Sequence, residues 1–398
     1  MPEAVVVSTA RSPIGRARKG SLVSLRPDDL AAQVISAALE GLPATEITDL
    51  HLGCAEPQDE HGQNIARRVA VQLGYDTLPG TTVNRFCASS VQTARMAFHA
   101  IRAGEGHAFI SAGVECVSRY MHSGAPSSNP VFDEAQQRTL DTAASNAPWT
   151  DPRLDGRLPD YYISMGQTAE NVATRMGISR HDQDEFGVRS QNLAEKAIAD
   201  GFFAREITPV VLPDGTVVST DDGPRAGVTY EAVSALKPSF RPEGTVTPGN
   251  CCPLNDGAAA VVIMSDVRAR ELGLTPLARI VSTGVSGLSP EIMGLGPVDA
   301  TKQALGHAGL SMSDIDLVEI NEAFAVQVLG SQRALGIDID KLNVHGGAIA
   351  LGHPFGSTGA RIMTTLINGM RARDAQFGLE TMCVGGGQGM AIILERLS

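Results

Sequence analysis

The alternation of short apolar runs with helix-period segments constrains this chain most. Residues 4–8, 49–53, 107–113, 258–264 and 278–284 read as buried strands, as do 317–320, 382–384 and 390–394. Each is too short for a buried helix, and glycine or polar residues bound most of them. Between them lie segments with the 3.6-residue period. Residues 30–39 form one, with Gly41 as its stop, and 165–176 form another. Residues 88–103 end at Gly104 and residues 182–199 end before Gly201, where a left-handed residue closes a helix. Strands alternating with helices call for sheets covered on both faces, so the expected class is α/β.

A chain of 398 residues exceeds what one core supports and implies two or three domains. The stretch from Tyr120 to Asn250 is rich in Pro, Ser, Asp and Gly and reads as an inserted loop domain. The expected division is an N-terminal α/β half over 1–121, completed by about 252–274, a loop domain over 122–251, and a C-terminal α/β half over 275–398. A formal charge of −12 and a single tryptophan, Trp149, argue against nucleic acid as the partner. No apolar run reaches the roughly 18 residues of a membrane span. The six cysteines include no C-x-x-C pair, so no metal site is expected. Met1-Pro2-Glu3-Ala4 runs directly into Val5 without a basic or long apolar leader. Free thiols in a reducing cytoplasm are the simplest setting.

Four segments at strand exits carry chemistry. Cys87, in Asn84-Arg85-Phe86-Cys87-Ala88-Ser89-Ser90, sits where a strand passes into a helix. Unpaired N–H groups and the helix dipole there favour a thiolate. A buried structural thiol would look the same in isolation. His353 lies in a turn with five glycines between Asn343 and Arg361, a general-base position. That turn lacks the Lys-Ser/Thr ending of a P-loop. Cys383-Val384-Gly385-Gly386-Gly387 offers a second thiol and backbone N–H groups suited to an oxyanion hole. Asn321-Glu322-Ala323-Phe324 follows an apolar strand, the usual place for ligands in α/β sheets.

Together these segments resemble the thiolases over essentially the full length. The resemblance is carried by Thr9-Ala10-Arg11-Ser12-Pro13-Ile14-Gly15-Arg16, Gly62-Gln63-Asn64-Ile65-Ala66-Arg67, the Cys87 segment and Met165-Gly166-Gln167-Thr168-Ala169-Glu170-Asn171. Leu254-Asn255-Asp256-Gly257-Ala258, Asn321–Phe324, the His353 turn and the Cys383 segment complete it. It implies a thiolase-like fold: two similar α/β halves with mixed sheets covered by helices, plus the inserted loop domain.

The resemblance further implies that Cys87 is acylated, that His353 activates it, and that Cys383 moves the α-carbon proton. His353 and a water positioned by Asn321 would hold the enolate oxygen. The N–H groups of Cys87 and Gly385 would hold the acyl-enzyme oxyanion. Coenzyme A and acyl-CoA are the implied substrates, with no permanently bound cofactor. Arg225 would meet the nucleotide end, and Met165, Phe240 and Met293 would wall the acyl pocket. Two departures bear on substrate. Ser164 stands where short-chain members usually carry histidine, and Cys252-Pro253 stands where many carry serine and glycine. The implied activity is a degradative 3-ketoacyl-CoA thiolase, and the alternative is a short-chain acetyl-CoA acetyltransferase. A decarboxylating ketoacyl synthase would show a Cys–His–His set, which is absent. A non-catalytic acyl-CoA carrier would have no need of Cys87, His353 and Cys383. A homodimer or homotetramer is expected.

Overall fold

A computed structural model describes residues 1–120 and 128–398. The expected boundary at residues 121 and 122 lies outside the described residues. The strands are β1 (Ala4–Arg11), β2 (Gly15–Arg16), β3 (Asp49–Gly53), β4 (Gly80–Val83), β5 (Ala108–Cys116), β6 (Val210–Val211) and β7 (Val217–Val218). They continue with β8 (Asn255–Ser265), β9 (Ala278–Gly287), β10 (Leu317–Ile320), β11 (Phe377–Val384) and β12 (Gln388–Arg396). The helices are α1 (Pro27–Ala38), α2 (Ile65–Gln72), α3 (Ser89–Ala103), α4 (Asp133–Ser145), α5 (Met165–Met176) and α6 (Arg180–Ala199). After them come α7 (Tyr230–Ser234), α8 (Asp266–Glu271), α9 (Gly296–Ala308), α10 (Ala325–Leu335), α11 (Ala348–Leu351) and α12 (Thr358–Arg373).

One ten-stranded sheet runs in the order β10-β11-β12-β9-β1-β8-β5-β3-β4, with β2 paired to β8. β3 is parallel to β4 and β5, and β10 is parallel to β11. The remaining pairs of the sheet are antiparallel, so it is mixed. The two halves meet at a narrow seam, where β1 pairs with β9 only through Val5–Arg279 and Val6–Ala278. The expected pair of mixed sheets is therefore one sheet joined at that seam.

The strands are apolar on both faces because both faces are covered. Along β8, Ala260, Val262 and Met264 face the layer holding α1, while Ala259, Val261 and Ile263 face the layer holding α3 and α12. Burying each such valine or isoleucine contributes about 1.5–3 kcal/mol. α12 is buried around most of its circumference, from Thr358 through Ile367. A helix apolar or small on all sides belongs in a core. Its Gly359 packs on Val91 of α3, so the two central helices touch near their first turns.

The apolar runs read as strands lie in strands apart from His107, which precedes β5, and residues 382–384 are the end of the longer β11. Gly104 and Gly201 take the expected positive φ, at 79° and 71°. The helix α9 was not read from the sequence. α12 begins at Thr358, directly after the His353 turn, where a helix start was expected.

Candidate active site

The chain leaves β4 at Val83 and turns into α3 through a short 3₁₀ turn, Phe86–Ala88. Phe86 holds φ at 43°, a left-handed conformation rare for a bulky residue. Neighbouring side chains fix it there. Asn84 Oδ1 accepts the Phe86 N–H at 2.8 Å, and Ser89 Oγ donates to the Phe86 carbonyl at 2.6 Å. Such strain clusters at functional sites, and here it presents Cys87 just ahead of α3.

Cys87 is half-buried and faces an apolar cavity of about 270 Å³. Burial pushes its thiol up to about 12, against the N–H groups of Gly385 and of Cys87 itself, which face the sulfur and pull the other way. Burial thus works against the thiolate that the helix end favours.

Cys383 is buried near the end of β11, and the Gly385 turn leads from it into β12. Burial and the nearby Cys87 sulfur hold it well above the ordinary thiol range. Cys252 behaves alike, raised by burial and then by Cys251, Cys87 and Cys383. Three thiols therefore share one neighbourhood. Arg85 Nη1 donates to Gln388 Oε1 at 2.9 Å and ties the Cys87 turn to the glycine turn.

His353 lies in the turn between α11 and α12 and is buried. Its N–H donates to Asn255 Oδ1 at 3.0 Å, and its Nδ1 lies 2.7 Å from Thr358 Oγ1. Asn321, just past β10, places Nδ2 3.3 Å from His353 Nε2. Burial, assisted by Arg361, lowers the imidazole to about 3, so it is neutral at physiological pH. Asn321 Oδ1 is buried without a partner among the described residues, an acceptor free for a water.

Glu115, at the end of β5, ties these turns together. Its carboxylate accepts the N–H groups of Ala55 (2.7 Å), Glu56 (3.2 Å) and Gly356 (2.8 Å) and the Tyr120 hydroxyl (2.8 Å). Burial raises it, and these donors hold it down. At Gly356 a Cβ would come within 2.7 Å of the Cys54 backbone and 2.8 Å of Glu115, so only glycine allows this approach. Sequence reading missed Glu115, although it is the one charge inside an otherwise apolar strand. It also missed Glu56, Tyr161, Tyr162 and Phe355, which line the cavity with Cys87, Gly385 and Met165.

The other expected pocket residues lie outside that lining. Met293 is buried in the core beside α5, and Phe240 packs its ring on Gly166 and on Phe324. Ser164 is the exposed residue that begins α5, next to Met165. Arg225 is exposed, with its backbone N–H on Gln191 Oε1 at 3.0 Å. Cys252 is half-buried, held by its N–H on the Ala323 carbonyl.

Paired thiols, a neutral imidazole and backbone donors at the strand exits of an α/β sheet are groups that acyl transfer can use. The chain matches the thiolase N-terminal domain over residues 4–267 and the thiolase C-terminal domain over residues 274–396. It belongs to the thiolase family. It is 43% identical to a 3-ketoacyl-CoA thiolase of Bacillus subtilis, covering 99% of this chain and all of that one. It is also 43% identical to an acetyl-CoA acetyltransferase of Cupriavidus necator over the whole of both. The crystal structure of a Bacillus anthracis acetyl-CoA acetyltransferase superposes with a TM-score of 0.86 at 38% identity, covering all of this chain and 99% of that one.

Proposed function

We propose that this thiolase is a degradative 3-ketoacyl-CoA thiolase acting on acyl chains longer than four carbons. The observation that carries this is the cavity at Cys87, about 270 Å³ and lined by Phe86, Tyr161, Tyr162, Ile163, Met165 and Phe355. At about 30 Å³ for a water-sized group, it has room for several methylenes. Its one ionisable carboxylate, Glu56, is raised by burial, and no basic residue lines the space. An acyl tail ending in a carboxylate would be disfavoured there.

In cleavage, neutral His353 takes the Cys87 proton as sulfur attacks the 3-keto carbon. The N–H groups of Cys87 and Gly385 hold the oxyanion. The C2–C3 bond breaks, and Cys383 protonates C2 of the departing acetyl-CoA enolate, which His353 and a water on Asn321 stabilise. The Cys383 thiolate then takes the proton of coenzyme A, whose sulfur attacks the acyl group. Cys87 leaves with the proton held on His353. Covalent catalysis divides one difficult carbon–carbon step into two. Exposed Arg225 would meet the nucleotide end of coenzyme A, with Cys252 along its path. Phe240 and Met293 would back the acyl wall from behind.

The reading keeps coenzyme A and acyl-CoA as the partners, without nucleic acid or membrane. The charge of −12 supports the first exclusion. No helix among the described residues is long and apolar enough to cross a membrane. Six free thiols favour a cytoplasmic setting. The half-exposed edge strand β4 favours pairing with a second copy in a homodimer or homotetramer.

A chain-length series tests the substrate assignment. Each buried methylene contributes about 0.8 kcal/mol, roughly fourfold in kcat/KM. Thiolysis of six- and eight-carbon 3-ketoacyl-CoA should match or exceed that of acetoacetyl-CoA, and Ser164→His should shift preference back toward four carbons. A steep decline beyond four carbons in the wild type would instead make this a short-chain acetyl-CoA acetyltransferase.

A further inference from the structure

A second cavity, of about 260 Å³, lies between α4 and α5 and shares no lining residue with the Cys87 pocket. Arg138, Arg157 and Arg241 bring three guanidiniums to it, against one carboxylate, Glu291. Guanidiniums therefore outnumber carboxylates in its lining, in a protein whose net charge is −12.

Glu291 is already engaged. It accepts from Arg138 Nη2 at 2.9 Å, Trp149 Nε1 at 2.6 Å and the Asp160 N–H at 2.8 Å. Arg157 pairs only with Asp155, which is largely exposed and therefore screened.

Arg241 is the unbalanced group. It is 4% exposed and forms no ion pair among the described residues. Its Nε donates to Gln167 Oε1 at 2.8 Å and its Nη2 to Asn171 Oδ1 at 2.7 Å, both neutral amides. Its Nη1 is buried with no partner among the described residues. The carboxylate whose field reaches it, Glu170, is saturated by the N–H groups of Thr245 and Val246 and by the Thr245 hydroxyl. A buried guanidinium with no ion pair and an unpartnered Nη1 is costly, and here it stands at the wall of a cavity.

We infer that this cavity binds a phosphate group, either free or as a monoester. A phosphate supplies negative charge where Arg241 has no ion-pair partner among the described residues. Guanidinium forks match the geometry of phosphate oxygens. Thr142 and Thr150 also line the cavity. The space is several times the roughly 30 Å³ of a water-sized group, so a phosphate carrying a small organic portion fits. The site does not depend on the thiolase chemistry at Cys87.

Calorimetric titration of the full-length protein with inorganic phosphate, against chloride at matched ionic strength, tests this. The wild type and Cys87→Ser should bind phosphate saturably and alike. Losing one charge-assisted contact should weaken binding about tenfold in Arg241→Gln and, because Arg157 is exposed, about threefold in Arg157→Gln. Arg157→Gln is a surface change, so it decides the matter if Arg241→Gln does not fold. Absence of saturable binding in the wild type, or unchanged affinity in Arg157→Gln, overturns the site. Comparing coenzyme A with its 3′-dephospho form identifies the source. A rise in KM in Arg241→Gln confined to coenzyme A assigns the substrate's own phosphate, and equal KM values assign a separate ligand. The calorimetry stands whichever acyl chains the enzyme prefers.

Discussion

The Ala360 N–H donates to Ser90 Oγ at 3.0 Å, and this bond joins the first turns of α12 and α3. Each of those helices follows a turn that carries a candidate catalytic group, His353 before α12 and Cys87 before α3. The strands of the two halves pair only over a short seam, and this bond adds a direct tie between the two turns.

Ser90→Ala should therefore lower kcat more than it raises KM. It leaves a buried N–H without its partner, at a cost of about 1–3 kcal/mol in stability. Thermal melting and steady-state thiolysis would show both effects. A kcat equal to that of the wild type would mean that the helix pair positions the groups without this bond.

Cys383→Ala separates the two half-reactions. Acylation of Cys87 should persist, because His353 and the two backbone donors remain. Exchange of the α-protons of acetyl-CoA with deuterated solvent should be lost, as followed by mass spectrometry. Normal exchange in the variant would hand the proton transfer to another group, with Cys252 the nearest thiol alternative.

Acid should destabilise the fold in a defined window. Burial lowers His61 and His345 to about 4 and His353 to about 3, from an ordinary 6.5. Between 6.5 and those values the unfolded chain binds protons that the folded chain does not, so stability falls as pH drops through the window. His345 stacks on Phe202 at 3.7 Å, away from Cys87, and makes a clean probe. His345→Phe should flatten the loss of melting temperature between pH 6.5 and 4. An unchanged slope would assign the acid sensitivity to other groups.

Much of the fold was legible because strands buried on both faces are written as continuous apolar runs. Gly104 and Gly201 announced their helix ends through a backbone requirement that few other residues meet. The start of α12 was legible as a helix following the His353 turn, while its extent was not, since Gly359, Thr364 and Thr365 interrupt its apolar positions. The site segments were readable from Cys87, His353, Cys383 and Asn321. Their electrostatics were not: whether Cys87 rests as thiol or thiolate depends on how deeply the turn is buried. Glu115 and Arg241 escaped for the same reason, since a charge in a sequence does not show what surrounds it.

The central claim is that Cys87 carries the acyl group. Incubating the protein with a 3-ketoacyl-CoA lacking free coenzyme A, then recording its intact mass, tests this directly. The wild type should gain the mass of one acyl group, and Cys87→Ser should gain none on the same time scale. Acylation of the serine variant at the wild-type rate, or an acyl group mapped by peptide analysis to Cys252 or Cys383 in the wild type, would contradict the account.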